Sequence, residues 1–452
     1  MSDSPPDATI TLARFALDVR LDAMPAEVRR EGIRSLLNIL GCTLGGAHHD
    51  AVEKTWTALS PFAGREQAAL FGRPERTDAL TAALINTLSS SVNTFDDTHA
   101  EAIIHPSGPI MGAVLALTEM RPVSGADMLA AFIVGVEAAC RLSKSVSVAP
   151  AKGSIAWSQT GIACGIGAAL ASARLLGLDL DQTRMAIGIA AAEASGIRAL
   201  HGTHCTPMMP ANAGRAGLKA AFMALAGVTS SKTTIEARYG FAECFAETPH
   251  LAYVTNGLGE HWEILGNTYN PYPCGIVIHP LIDAALEIAR EATPAPGAIA
   301  KVQIVANPAA MALCFRRHPK DEFEGQVSLY QWVAAGLIRG RAGIAEGTDQ
   351  AIADSAITAL RDRIEVATNP AIPHDGGEMT VTLADGRDLS RSIRDCIGSR
   401  GRPMTDAELD AKFLSTAETS LPASKVTTLL AALRGIETLE DAAILARTAR
   451  VD

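Results

Sequence analysis

The sequence predicts a large all-helical domain joined to a smaller α+β domain, and three observations carry that expectation. Up to about residue 262, apolar residues recur at helical spacing. After Tyr269-Asn270-Pro271-Tyr272-Pro273 the text switches to segments that alternate polar and apolar residues. From Met404 to the end it is helical again. The expected boundaries are 1–264 for the first part of the helical domain, 265–402 for the α+β domain and 403–452 for C-terminal helices that return to the first domain.

Residues 1–8 read as a frayed terminus. From Pro25, the apolar positions Ile33, Leu36, Leu37 and Leu40 fall at i, i+3, i+4, i+7, and Gly45-Gly46 ends the helix. Thr77-Asp78 caps a second helix built on Leu80, Leu84, Ile85 and Leu88. Further apolar helices are predicted over Pro109–Met120, Asp127–Ser143, Gly161–Leu176, Gln182–Ser195 and Gly214–Leu225. In the third of these windows, Gly161, Gly165 and Ala169 recur every four residues, which lets helix backbones approach closely. No strand precedes them, so they do not form a phosphate-binding glycine loop. In the second domain, Lys301–Ala306, Arg363–Thr368 and Glu378–Leu383 alternate as half-covered strands. Asp385-Gly386 then makes a hairpin turn into a further strand. Helices are predicted between them at His279–Glu291 and Ser328–Ile338. In the C-terminal segment Leu429, Leu430 and Leu433 offer an apolar face.

Composition excludes several function classes. The chain has 452 residues, 48% of them hydrophobic and only 4% aromatic, so its core is aliphatic and suited to closely packed helices. The formal charge of −10, without a Lys/Arg block, argues against nucleic acid as a partner. It also means that an anionic substrate must be held by local donors. The eight cysteines are scattered with no CxxC pair, so reduced thiols are expected. The N-terminus lacks a signal-peptide pattern. The longest uncharged run, 154–173, has the length of a membrane span but is made of Gly, Ala, Ser, Thr and Gln, and reads better as a buried helix. The expectation is a cytoplasmic protein with no membrane partner.

The stretch from Thr94 to Gly108 is the most chemically dense. It holds Asp96, Asp97, Thr98, His99, Glu101 and His105 between two apolar helices. It reads either as a capped turn or as a catalytic segment, because polar groups inside an apolar bundle cost desolvation. His105, near Asp97 and Glu101, has the makings of an acid/base held in one tautomer. A second cluster runs from Ser195 to Pro207, where Arg198 can grip a carboxylate bidentately. His201, His204 and Cys205 there suggest a metal, but no further ligand lies nearby in sequence, so no metal is expected. A third cluster, Tyr269 to His279, is either a proline-stiffened linker or part of a site.

Together these segments resemble the MmgE/PrpD family, which includes 2-methylcitrate dehydratases, cis-aconitate decarboxylases and iminodisuccinate epimerases. Phe95-Asp96-Asp97-Thr98 with His105-Pro106-Ser107-Gly108 resembles one signature. Ser195-Gly196 with Gly202-Thr203 and Ala213–Ala221 resembles a second. Tyr272-Pro273-Cys274 with His279 and Asp283-Ala284-Ala285 resembles a third. Glu324, Ser328 and the segment from Gly398-Ser399 to Lys412-Phe413 follow in the expected order. The resemblance implies a helical domain with an α+β lid, a homodimer, a site between the domains, and no metal or organic cofactor. It places Asp97, Thr98 and His105 in the pocket.

The sequence also departs from the family pattern. Thr94 stands where an Asp is usual, Ser158 where a catalytic His is usual, and Thr206 and Asn270 where lysines are usual; Gly275 stands where a His sometimes occurs. The expected function is therefore proton transfer at a carbon next to a carboxylate of a small carboxylic acid, first as a dehydratase-type lyase. The alternatives are an epimerase or isomerase, or a non-catalytic ligand-binding member. The expected catalytic residues are His105, Asp97 as its orienter or partner, and Tyr272, or in its place Tyr330, as a second proton donor. Thr98, Ser158, Arg198, Thr206, His279 and Tyr330 are the expected substrate-binding residues.

Overall fold

The computed structural model of the chain describes residues 7–292 and 296–452. Most of the terminus read as frayed thus lies outside the described residues. The chain forms two compact units. The first comprises Met1–Val92, Asp96–Asn267 and Asp406–Asp452, and the second Asn93–Phe95 and Thr268–Thr405.

The first unit is a helical bundle of α1 (Ala8–Asp18), α2 (Ala26–Gly45), α3 (Asp50–Leu59), α4 (Ala79–Ser91), α5 (Ser107–Thr118), α6 (Gly125–Ser147), α7 (Gln159–Leu176), α8 (Leu180–Ala191) and α9 (Cys205–Leu225). Local chemistry sets the ends. Asp78 accepts from the Thr81 amide at 2.9 Å, Ser124 from Asp127 at 3.1 Å and Ser158 from Gly161 at 3.2 Å. Asp179 and Gln182 form a reciprocal capping box at α8. Gly177, in the left-handed region, stops α7.

Two predicted boundaries move. α8 ends at Ala191 rather than Ser195, because the chain beyond it turns extended and the Gly196 carbonyl accepts from the Ser158 amide at 3.0 Å. α9 starts at Cys205 rather than Gly214. Pro207 lies in its first turn, where no helical hydrogen bond is lost, and Pro210 gives up one farther in, so the prolines hide the true start from a periodicity reading.

The uncharged run is the centre of the bundle. α7 is buried along nearly its whole length among α5, α6, α8 and α9. Small residues allow this. A Cβ on Gly217 of α9 would lie 2.4 Å from the Gly165 carbonyl and 2.5 Å from the Ala168 Cβ, and one on Gly161 would lie 2.2 Å from the Ser195 carbonyl. Among the described residues, no helix is long and apolar enough to cross a membrane. The chain returns to this unit in α12 (Asp406–Ala417), numbered after two helices of the second unit given below. It packs on α2, with Asp406 paired to Arg30 and Arg34 and with Lys412 Nζ donating to Asn38 Oδ1 at 2.7 Å.

The second unit is a four-stranded sheet of β1 (Ile299–Ala306), β2 (Ile364–Thr368), β3 (Gly377–Leu383) and β4 (Asp388–Ile393), in the order β4-β3-β1-β2. β3 runs antiparallel to both neighbours, and β2 is parallel to β1. The hairpin turns at Asp385-Gly386, where Gly386 takes φ +86°. The inward residues Val302, Ile304, Met379 and Val381 share a core with Leu281, Ile282, Ala285 and Ile288 of α10 (His279–Ala292). Behind α10 lies α11 (Leu329–Arg339), capped by Ser328.

Gly217→Ala should lower unfolding stability by roughly 1–3 kcal/mol, because the added methyl meets backbone that has no room to retreat. Gly165→Ala, whose Cβ meets its nearest neighbour at an ordinary 3.4 Å, should be close to neutral. Urea denaturation of both variants checks this, and equal effects would contradict the packing account.

Candidate active site

The dense segment folds as a tight turn closed by a two-residue bridge. The His99 amide donates to the Ile104 carbonyl at 2.9 Å and the Ile104 amide donates back to the His99 carbonyl at 3.4 Å, with Ile103 in the left-handed region. His99 itself is structural. Its Nδ1 accepts from the Ala102 amide at 3.0 Å, and its Nε2 donates to the Glu263 carbonyl at 2.9 Å. Pro106 closes the segment and immediately precedes α5.

Asp97 anchors the turn from below. Its carboxylate is fully buried, and one oxygen, Oδ2, accepts from Ser107 Oγ at 2.7 Å and from Asn267 Nδ2 at 2.5 Å. The other oxygen is buried without a hydrogen-bond partner among the described residues. Burial, reinforced by the neighbouring Asp96 charge, raises this carboxyl to about 6 despite the two donors. Asp97 therefore does not line open space, and it does not orient His105 with its carboxylate, as the sequence had suggested. Its backbone carbonyl does that instead, accepting from His105 Nδ1 at 2.9 Å. Thr98 Oγ1 lies 3.3 Å from the same nitrogen, and the nearest carboxylate is that of Asp96, at 3.8 Å.

A carbonyl only accepts, so neutral His105 carries its proton on Nδ1 and a lone pair on Nε2. The imidazole is 42% exposed, and Nε2 has no protein partner among the described residues. Of the titratable groups in this segment, this is the one left free to move a proton.

The start of α7 meets His105. The His105 amide donates to Thr160 Oγ1 at 3.0 Å. From the other side, the strand-like chain before α9 bridges Trp157 to Ile197, and the Arg198 amide donates to the Ala156 carbonyl at 2.8 Å. This delivers Arg198 beside the first turn of α7, where its guanidinium donates to Gln159 Oε1 at 2.8 Å. Arg198 is half-buried, with no carboxylate partner among the described residues, and desolvation lowers its affinity for its own proton. His201 follows one turn later, within electrostatic reach of both Arg198 and His105. Ser158 and Thr206 are occupied in local structure. Ser158 caps α7, and Thr206 Oγ1 receives the Gly202 amide at 3.1 Å while donating to the Leu200 carbonyl at 3.1 Å.

Tyr272, His279 and Tyr330 belong to the second unit. The Tyr272 phenol donates to Asp283, whose other oxygen accepts from the Ile397 amide at 2.8 Å. Burial and the Asp283 charge push this phenol far above its ordinary range. It cross-links the unit's core, and the expected role as proton donor does not fit that environment. His279 is buried against the Tyr272 ring, with Nε2 3.3 Å from the Cys274 carbonyl. Tyr330 is buried beneath the Arg317 guanidinium. Thr94 and Asn270 both lie in this unit; Thr94 Oγ1 donates to Gln326 Oε1 at 2.7 Å.

The sequence reading gave no role to Gln159 and Thr160, nor to Lys412, which entered only as part of the family pattern and whose buried ammonium contacts Asn38 and Cys42 and senses the charges of Asp96 and Asp97. A charged residue on an otherwise apolar face of α12 was the available signal for Lys412. For Gln159 there was only its place at a helix start. Among the described residues no three His, Cys, Asp or Glu side chains converge as a metal site.

Residues 10–253 match the MmgE/PrpD N-terminal domain and residues 272–437 match the MmgE/PrpD C-terminal domain. The chain belongs to the MmgE/PrpD family. Among curated proteins it is similar to the cis-aconitate decarboxylase of Mus musculus, at 25% identity over 97% of this chain and 92% of the relative. The human cis-aconitate decarboxylase is also 25% identical, over 91% and 88%, and that of Aspergillus terreus is 23% identical, over 97% and 95%. Within this MmgE/PrpD member, the serine and threonine at 158 and 206 hold backbone, while Arg198 and His201 sit on the same stretch of chain with no such duty.

Asp97→Asn should change how stability depends on pH. The folded protein holds the Asp97 proton more tightly than the unfolded chain. Its contribution is therefore full below about pH 4 and is lost as pH rises through about 6, a change of about 3 kcal/mol. Urea denaturation between pH 4 and 7 should show the wild type losing stability relative to the variant by that order. Parallel profiles would contradict the assignment.

Proposed function

We propose that this MmgE/PrpD member is a lyase acting on a small carboxylic acid, with His105 moving the proton at a carbon next to a carboxylate. One observation carries the proposal: an imidazole with Nδ1 pinned and Nε2 open stands near a half-buried guanidinium that has no carboxylate of its own. Partial desolvation of a guanidinium that donates to a neutral amide and meets no carboxylate among the described residues leaves it able to gain from an incoming anion. A substrate carboxylate is such an anion, and the planar fork of Arg198 can take it bidentately.

Decarboxylation moves ahead of the dehydration that the sequence alone put first. Two considerations support the change: the curated relatives are named cis-aconitate decarboxylases, and the second proton donor expected at Tyr272 is tied to Asp283. Loss of carbon dioxide needs one proton delivered to carbon. The bond to the departing carboxylate breaks, and its electron pair passes into conjugation with a neighbouring carboxylate held by Arg198. Protonated His105 then gives its Nε2 proton to the carbon. Dehydration of a hydroxy acid is the second reading, favoured by the presence of His201 as another imidazole for the leaving hydroxyl.

The test is proton NMR of cis-aconitate, citrate, 2-methylcitrate and iminodisuccinate incubated with the protein in D₂O. Deuterium at a carbon next to a carboxylate, with a decarboxylated or dehydrated product, is expected. Exchange with inversion and no product would show an epimerase instead, and binding without any exchange would show a non-catalytic member. On the substrate so found, His105→Gln should cost about 10²–10⁴ in kcat. Arg198→Gln should act mainly on KM, by about ten- to a hundredfold for one lost charge-assisted pair. Full activity of His105→Gln would remove the assignment.

A further inference from the structure

Resting on the reading of His105 as the proton carrier, we propose that Asn267 is a positioning residue for it. The Asp97 carboxyl carries a hydrogen on its otherwise unpartnered oxygen and donates it to the Asn267 amide oxygen. This closes a two-bond acid–amide pair beneath the His105 turn.

Two orphaned atoms point to that hydrogen. Asn267 Nδ2 gives both of its own hydrogens away, to Asp97 Oδ2 at 2.5 Å and to Ser35 Oγ at 3.1 Å. Asn267 Oδ1 and Asp97 Oδ1 remain, both buried and neither with a hydrogen-bond partner among the described residues. They are the remaining polar atoms of two planar groups that already share one bond. With Asp97 ionised, both can only accept, and each is buried with nothing to accept. One hydrogen between them satisfies both. Turning the Asn267 amide over does not remove the need. Its oxygen would then face Asp97 Oδ2, and the hydrogen would sit on that oxygen instead.

Charge points the same way. The titratable groups around the pair are Asp96 beside it in the chain, His105 on the turn, Lys412 on α12, and the thiols of Cys42 on α2, Cys140 on α6 and Cys164 on α7. Burial pushes all three thiols far up, so they stay neutral. Lys412 is thus the one buried cation among them, against the two buried carboxyls of Asp96 and Asp97. It is bonded to Asn38, one helical turn along α2 from Ser35. A hydrogen on one carboxyl balances that set. The lift of the Asp97 carboxyl to about 6 agrees with its place on that residue.

The Asp97 side chain is then held from both edges, by Ser107 and by Asn267, while its carbonyl accepts from His105 Nδ1 at 2.9 Å. Asn267 acts on His105 through Asp97. When His105 serves as an acid it carries hydrogens on both nitrogens, so the direction of Nε2 depends on how firmly that Nδ1 bond is anchored. As pH rises through about 6 the Asp97 hydrogen leaves, and the pair falls back to the single bond from Nδ2.

The test is infrared spectroscopy at pH 5 on protein carrying ¹³C in its aspartate carboxyls, as the difference between wild type and Asp97→Asn. A protonated-carboxyl stretch, shifted down by hydrogen bonding, is expected in the wild type and should vanish as pH is raised through about 6. The second readout is exchange with solvent of the His105 Nδ1–H, followed by proton NMR and assigned by its loss in His105→Gln. Asn267→Leu removes both polar atoms at similar size. It should move the Asp97 stretch to higher frequency and speed the His105 Nδ1–H exchange about tenfold, as for one lost hydrogen bond. The double variant Asp97→Asn with Asn267→Asp puts the amide and the acid on opposite sides of the same pair. It should restore slow exchange to within a few-fold of the wild type. An Asp97 that is ionised at pH 5, its outer oxygen met by water, would overturn the proposal. So would His105 Nδ1–H exchange that Asn267→Leu leaves unchanged. Neither readout needs a substrate: a protein that turned over no acid would refute the proposed function and not the pair, whereas an ionised Asp97 would refute the pair and not the function.

Discussion

A carboxylate buried inside a helical bundle is the constraint on which the candidate site depends. Asp97 has no access to water, and a lone carboxylate there would cost several kcal/mol without partners. Ser107 and Asn267 supply them on one oxygen only, and the carboxyl answers by holding its proton to about pH 6. Those bonds fix the backbone at Asp97. Once that backbone is fixed, its carbonyl is fixed as well, and the carbonyl determines which nitrogen of His105 carries the proton. The buried charge thus acts at one remove, through the main chain, on the imidazole of His105.

The same logic applies to the positive side. A chain with net charge −10 does not attract anions by its overall field, so an anionic substrate must be met by particular groups. Several other guanidiniums of the first unit are paired with carboxylates, although Arg174 is met, among the described residues, only by the Ala16 and Leu17 carbonyls. Arg73 meets Glu53 and Glu75, Arg76 meets Glu119, and Arg141 meets Glu137. Arg198 is held by a neutral amide instead.

Much of the architecture was legible because single physical signals were strong. Asp78 is a capping residue in the expected place, and the alternation of Lys301–Ala306 and Glu378–Leu383 translated directly into strands with one covered face. The parallel pairing of β2 with β1 was not legible, since alternation says nothing about partner or direction. The candidate site's residues were picked by type, and their roles were not readable from spacing. His105 and Arg198 were singled out by type, and the structure gives both open geometry. Asp97, Tyr272, Ser158 and Thr206 were singled out in the same way, but their side chains are engaged in holding the fold. Spacing cannot distinguish a carboxylate that faces a pocket from one that faces a bundle core. Gln159 and Lys412 act through partners far away in sequence, so their positions gave no sign of what they contact.

The central claim is that His105 presents a free Nε2 because Asp97 holds its Nδ1–H. Long-range ¹H–¹⁵N correlation on protein labelled at histidine nitrogens, with His105 assigned by its loss in His105→Gln, reads the tautomer directly. The account predicts that the neutral ring is protonated at Nδ1, with the Nε2 shift of an unprotonated nitrogen. A neutral His105 protonated at Nε2 would contradict it, since the open nitrogen would then have no lone pair and the Asp97 carbonyl would receive no proton.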